Sequence, residues 1–193
     1  MPRPDSLPSR RFASEHDWAA WLERNHDRSP GLWLQIAKKG ANVASVSYPE
    51  ALDVALCYGW IDGQKQAHDR ASWLQWFGPR KTGSGWSKTN TEHAQRLIKA
   101  GKMKPAGLKE IEAAKRDGRW KQAYDSSAAA KPPRDFLQAL AKNAKAKSFF
   151  ETLEKRNRYA IIYRLQTAKK PETRAKRMRT ILEMLDRGEK FHP

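Results

Sequence analysis

The sequence predicts an α+β fold, in which a small N-terminal helix/strand part rich in Trp is followed by a basic, mostly α-helical C-terminal part. Hydrophobic residues make up 39% of the 193 and eight are Trp, more apolar and aromatic side chain than a disordered chain carries. Six of the eight Trp fall before residue 79, where nine Lys and Arg balance nine Asp and Glu. From residue 79 onward 29 cations face 12 anions, so the whole net charge of +17 belongs to the second part. The local pattern changes along with the charge, from short apolar runs to successive capped helices.

Ser14 with Asp17 three residues on, then Trp18, Trp21 and Leu22 at helical spacing, predicts a short helix over 14–25. Residues 32–37 are a continuous apolar run of strand length, closed by Lys38, Lys39 and Gly40. Ser47-Tyr-Pro-Glu50 reads as a capping box with proline in the first turn, opening a helix to about residue 58 with Leu52, Ala55 and Leu56 inward. Gly59 to Gly63 stops that helix and opens an extended stretch. Residues 71–77 then read as a strand with Trp73 and Phe77 on one face and Trp76 on the other. Residues 78–85, rich in Gly and cations, are the expected boundary. The domain reading is a disordered leader over 1–11, a neutral α+β part over 12–85 and a basic helical part over 86–193, the last two compatible with one compact domain.

Beyond the boundary, Thr89-Asn-Thr-Glu92 reads as a capping box for a helix to Ala100, and Pro105 opens another to Arg116. Residues 126–133 are a polar, Ala- and Pro-containing linker. Phe136, Leu137 and Leu140 mark a short helix, Ser148-Phe-Phe-Glu151 reads as a further capping box, and apolar residues over 149–165 cover enough faces to be the centre of a core. Pro171 opens a last helix with Ala175, Met178, Leu182 and Leu185 in one stripe, ending at Gly188.

No catalytic signature emerges. Residues 82–88 lack the spacing of a phosphate loop and read as a flexible connector. The five His form no metal-ligand pattern and Cys57 is the one cysteine, so neither a metal site nor a cofactor is expected. Cys57, inside an Ala- and Leu-rich helix, reads as a buried apolar residue. Asp62 beside Trp60 has two readings, a turn residue capping its own backbone or a partly buried acid or base. Trp60, Asp62, Trp73 and Lys88 are the candidate wall of an aromatic ligand pocket, the basis of an alternative reading as a small-ligand enzyme or sensor beside the leading one of a non-enzymatic binding protein. The candidate anion contacts form two groups. Arg96, Lys99, Lys102 and Lys104 lie around a turn whose flanking helices have a helix-turn-helix outline. Lys169, Lys170, Arg174 and Arg177 lie at the start of the last helix, where its dipole also favours an anion. Nucleic acid or another polyanion is the expected partner. With no window of the length and apolarity a membrane span requires, and no signal-peptide core in the first residues, the cytoplasm is the expected location.

Three stretches together resemble the YdeI/OmpD-associated family, also called the bacteriocin-protection family. They are Glu50-Ala-Leu-Asp-Val-Ala-Leu-Cys-Tyr-Gly-Trp-Ile-Asp-Gly63, then Trp86-Ser-Lys-Thr-Asn90 with Gly101-Lys-Met-Lys-Pro-Ala-Gly107, then Asn157-Arg-Tyr-Ala-Ile161 with Gln166-Thr-Ala-Lys-Lys-Pro-Glu-Thr-Arg-Ala175. The likeness is read over residues 12–193. It implies an association by name with an outer-membrane porin and with protection against cationic peptides, and it brings no enzymatic residues with it.

Overall fold

The computed structural model describes residues 8–193, and among these it holds eight α-helices and one four-stranded sheet. Two compact units form, the first of 1–84 with 90–121 and the second of 85–89 with 122–193.

In the first unit, α1 (Glu15–Asn25) starts where Ser14 accepts a bond from the Asp17 N–H at 3.2 Å. The apolar run becomes β2 (Leu32–Ala37). In α2 (Tyr48–Cys57), the Glu50 carboxylate accepts from the Ser47 N–H at 2.9 Å and from its hydroxyl at 2.7 Å, closing the capping box. β3 (Trp60–Ala67) and β4 (Ser72–Pro79) then pair antiparallel, β4 pairs antiparallel with β2, and with β1 (Ser9–Arg10) the sheet order is β1-β2-β4-β3. The edge strand β1 runs parallel to β2, opposite Trp33 and Leu34. The expected leader therefore differs at residues 9 and 10, whose backbone finds ladder partners on β2. Residues 1–7 of that leader lie outside the described residues.

Phe77 and Trp76 point to opposite faces of β4, as strand alternation requires. On the Phe77 side Trp18 of α1 stands 5.8 Å from its ring, and the Trp18 indole N–H donates to Ala51 O of α2 at 3.1 Å. Both helices thus seal one face of the sheet around Trp18, Leu22, Leu34, Trp60 and Phe77, each at most 1% exposed. The helices α3 (Lys88–Lys99) and α4 (Pro105–Arg116) follow, with residues 90–121 grouped in this unit. α4 reaches α2 backbone to backbone, since a Cβ on Gly107 would lie 2.4 Å from Cys57 O.

The second unit is built from α5 (Arg134–Leu140), α6 (Ala144–Thr152), α7 (Lys155–Gln166) and α8 (Pro171–Asp186), with no strand over 134–186. Its core contains Phe136, Phe150, Leu153, Ile161, Leu165 and Leu185. The segment 85–89 joins it through backbone bonds, Tyr124 N–H to Trp86 O at 3.0 Å and Lys88 N–H to Tyr124 O at 2.8 Å.

Several local expectations change. The boundary between the two units does not follow the charge break, because packing on α2 groups residues 90–121 with the Trp-rich part while backbone pairing groups 85–89 with the helical part. α3 begins at Lys88, which puts Thr89 inside the helix. Ser148 lies within α6, whose N-cap is Asn143, accepting from the Ala146 N–H at 3.0 Å. In α8 Leu185 is buried and Met178 and Leu182 pack against the core as the stripe requires, but Ala175 is exposed and Ile181 and Met184 are buried beside them.

Candidate functional site

The expected aromatic pocket does not assemble around Trp60. Its side chain is 1% exposed, its indole N–H donates to His26 O at 2.9 Å, and it meets Trp21 and Trp18 edge-on at 5.8 and 6.2 Å. Trp60 is core: at the start of β3 its indole closes over the end of α1, where His26 O satisfies its N–H. Asp62 accepts from the Tyr48 hydroxyl at 2.9 Å, so its carboxylate is tied to α2, and Tyr48 in turn lies 6.0 Å from the Trp73 ring. Burial, with Asp62 adding to it, raises the Tyr48 phenol above its ordinary pKa. Trp73 is half-buried, with Lys65 Nζ 4.5 Å over its ring. Lys88 belongs to the second unit.

The first group of candidate anion contacts is largely neutralised. Asp53 of α2 accepts from His93 Nδ1 at 2.7 Å and from Arg96 at 2.6 Å. Lys102 stands 4.0 Å from Glu15 and Lys104 3.6 Å from Glu23. Glu23 also takes the Tyr58 hydroxyl at 2.5 Å, and that bond, with Lys104 beside it, holds its pKa below the usual carboxylate range. The carboxylates of α1 and α2 thus occupy Arg96, Lys102 and Lys104, while Lys99 makes no ion pair among the described residues. Nearby Cys57 is buried, and its thiol is pushed up to about 11 mainly by that burial.

The second group divides in the same way. Arg174 holds Asp135 through both guanidinium branches, and Arg177 Nη1 donates to Arg164 O at 2.7 Å, satisfying a carbonyl at the C-terminal end of α7. Lys169 and Lys170 are exposed and make no ion pair among the described residues.

Lys169 lies instead on a cleft of about 350 Å³ that no single stretch of sequence displays. Asp125 is its hub. Lys88 Nζ stands 2.6 Å from the Asp125 carboxylate, and Gln166 Nε2 donates to it at 2.7 Å while Gln166 Oε1 accepts from the Asp125 N–H at 3.2 Å. The Tyr159 hydroxyl donates to Asp125 O at 3.1 Å. Lys88 first, with Gln166 adding, keeps the Asp125 carboxyl below its ordinary pKa although partial burial opposes it. Two of the stretches that resemble the family, 86–90 and 157–175, therefore meet on Asp125, which lies in neither. Sequence reasoning passed over Asp125 and Tyr124, whose neighbourhood carries no motif. The arrangement offers one exposed ammonium at Lys169 and a second, at Lys88, already partly balanced.

Two family models match the chain. One, described as a domain of unknown function (DUF8412), covers residues 10–110, and one described as bacteriocin-protection, YdeI or OmpD-associated covers residues 129–188. The resemblance read over residues 12–193 is thus matched over 129–188, and the stretch 157–175 lies inside that match. No curated protein and no solved structure matches the chain.

Proposed function

The chain belongs, through residues 10–110, to the family described as a domain of unknown function (DUF8412), its residues 129–188 match the bacteriocin-protection, YdeI or OmpD-associated family, and we propose that it is a binding protein whose second unit contacts an anionic, phosphate-bearing partner. Nucleic acid is the form first tested, and a phosphorylated ligand is the other. The observation that carries this reading is the charge of the second unit, 18 Lys and Arg against eight Asp and Glu, with Lys169 and Lys170 exposed beside the Asp125 cleft. That charge favours an anion over the cationic peptides that the resemblance suggests. The protein acts in the cytoplasm, where the buried Cys57 thiol stays reduced.

The test follows fluorescence anisotropy of a labelled DNA duplex from about 50 to 200 mM salt. Each phosphate contact contributes roughly −0.9 to the slope of log K against log salt. Lys169→Glu with Lys170→Glu weakens binding on every sequence alike, since phosphate contacts carry no base information. Arg174 and Arg177 are unsuitable for this test because they hold Asp135 and Arg164 O. Absence of binding to duplex and to inorganic polyphosphate at the lowest salt would remove the reading.

A further inference from the structure

The second unit also contains a cleft of about 450 Å³, with a lining distinct from that of the Asp125 cleft. Phe150, Leu153 and Ile162 form its floor, where the core of α6 and α7 comes to the surface, and Ala128, Ala130 and Pro132 of the connector form its outer wall. Ser127 of the connector adds one hydroxyl, and the other polar groups gather on α7, which contributes Lys155, Arg158 and Tyr159. No carboxylate lines it; the nearby Glu151 and Glu154 are exposed outside the lining.

The three polar side chains of α7 differ in what they have left to offer. Tyr159 spends its hydroxyl hydrogen on Asp125 O. Arg158 Nη2 donates to Glu151 O at 2.5 Å with the guanidinium carbon 5.7 Å from the Phe150 ring, which orients the fork and uses one of its five N–H donors. Lys155, in the first turn of α7, makes no ion pair among the described residues and adds its charge to the positive end of the helix.

An apolar floor with a rim charged on one side selects its ligand by two requirements. A bare phosphate would cover Phe150, Leu153 and Ile162 without removing apolar surface from water in any useful amount. A wholly apolar molecule would bury the rim cations without a partner. Both are satisfied by one anionic head on an apolar body, and a cleft of 450 Å³ falls within the roughly 300–1,000 Å³ usual for small-molecule sites. We propose that this cleft binds a small amphipathic carboxylate of the medium-chain fatty acid type. Its head lies against Lys155 and Arg158 and its chain along Phe150, Leu153 and Ile162. This site is independent of the phosphate-bearing partner proposed above, and either can fail without the other.

Isothermal titration of the full chain with decanoate, and separately with decanol, tests it. Saturable binding at one decanoate per chain is expected, with decanol at least tenfold weaker. Lys155→Gln should bring decanoate down toward decanol. Ala128→Trp, which fills the cleft from an exposed wall position and leaves the core untouched, should abolish binding of both. Equal affinity for decanoate and decanol, unchanged decanoate binding in Ala128→Trp, or no saturable binding at all would each overturn the proposal.

Discussion

Gly107 and Gly59 carry the contact between α2 and α4. A Cβ on Gly107 would stand 2.4 Å from Cys57 O and 2.6 Å from Leu56 O, and Gly59, at φ +73°, brings its own backbone against Ala106 O. No side chain fits where two backbones touch, which explains physically why glycines mark both the 50–63 and 101–107 stretches. Trp76 uses the same device on the sheet, where Cβ atoms on Gly63 and Gly78 would lie 2.5 and 2.4 Å from its indole. Gly107→Ala is expected to destabilise the protein by about 1–3 kcal/mol, the usual cost of overpacking. A urea midpoint equal to that of the wild type would show that α4 can shift outward freely.

At the scale of elements, α7 organises the second unit from both ends. Near its start, Asn157, 4% exposed, donates to His192 O at 3.1 Å and accepts from the His192 N–H at 2.9 Å, so one amide side chain closes the C-terminal segment onto the helix. At its end, Gln166 holds Asp125 and Arg177 holds Arg164 O. Removing one partner from a buried reciprocal pair leaves donors and acceptors unsatisfied, at a cost of roughly 1–3 kcal/mol. Asn157→Ala should therefore lower stability by that amount and speed amide hydrogen exchange at His192 above that of the α7 interior. Exchange at His192 unchanged from wild type would contradict the clasp.

For the whole molecule, charge decides the response to acid. Glu23, through Tyr58 and Lys104, Glu50, through Ser47, and Asp69, through Ser72, are all held below their ordinary pKa. So are Asp125, through Lys88, Asp135, through Arg174, and Glu189, through Arg187. A carboxylate whose folded pKa lies below its unfolded value stabilises the fold fully above the unfolded value, about 4, and loses that contribution as pH falls through the folded one. Protonation also adds to a net charge already at +17, so self-repulsion grows as these bonds are lost. The urea midpoint is expected to hold from about pH 7 to 5 and to fall steeply below about pH 4. Asp125→Asn should have a lower midpoint at neutral pH and a shallower fall. A wild-type midpoint constant down to pH 3 would contradict this account.

The features legible in the sequence are those decided within a few residues of chain. Ser14 caps α1, Ser47 and Glu50 box α2, Leu32–Ala37 is a strand, and Pro171 and Gly188 frame α8, because each signal bonds or constrains its own backbone. Strand alternation likewise separated Trp76 from Trp73 and Phe77. Where two local signals compete, only one of them is used. Ser148 and Glu151 repeat the Ser-x-x-Glu pattern of Ser47 and Glu50, yet Asn143 caps that helix and Ser148 lies inside it. The candidate site was legible only in part, since Lys88 and Lys169 were named while Asp125, which joins the first to Gln166, carried no signal. Only the tertiary structure decided that Trp60 is core, that Arg174 and Arg177 are anchors and Lys169 and Lys170 are not, and that residues 90–121 group with the first unit. Each depends on a partner roughly 10 to 50 residues away, and a side chain's chemical type fixes what it can bond, while the fold alone fixes what it meets.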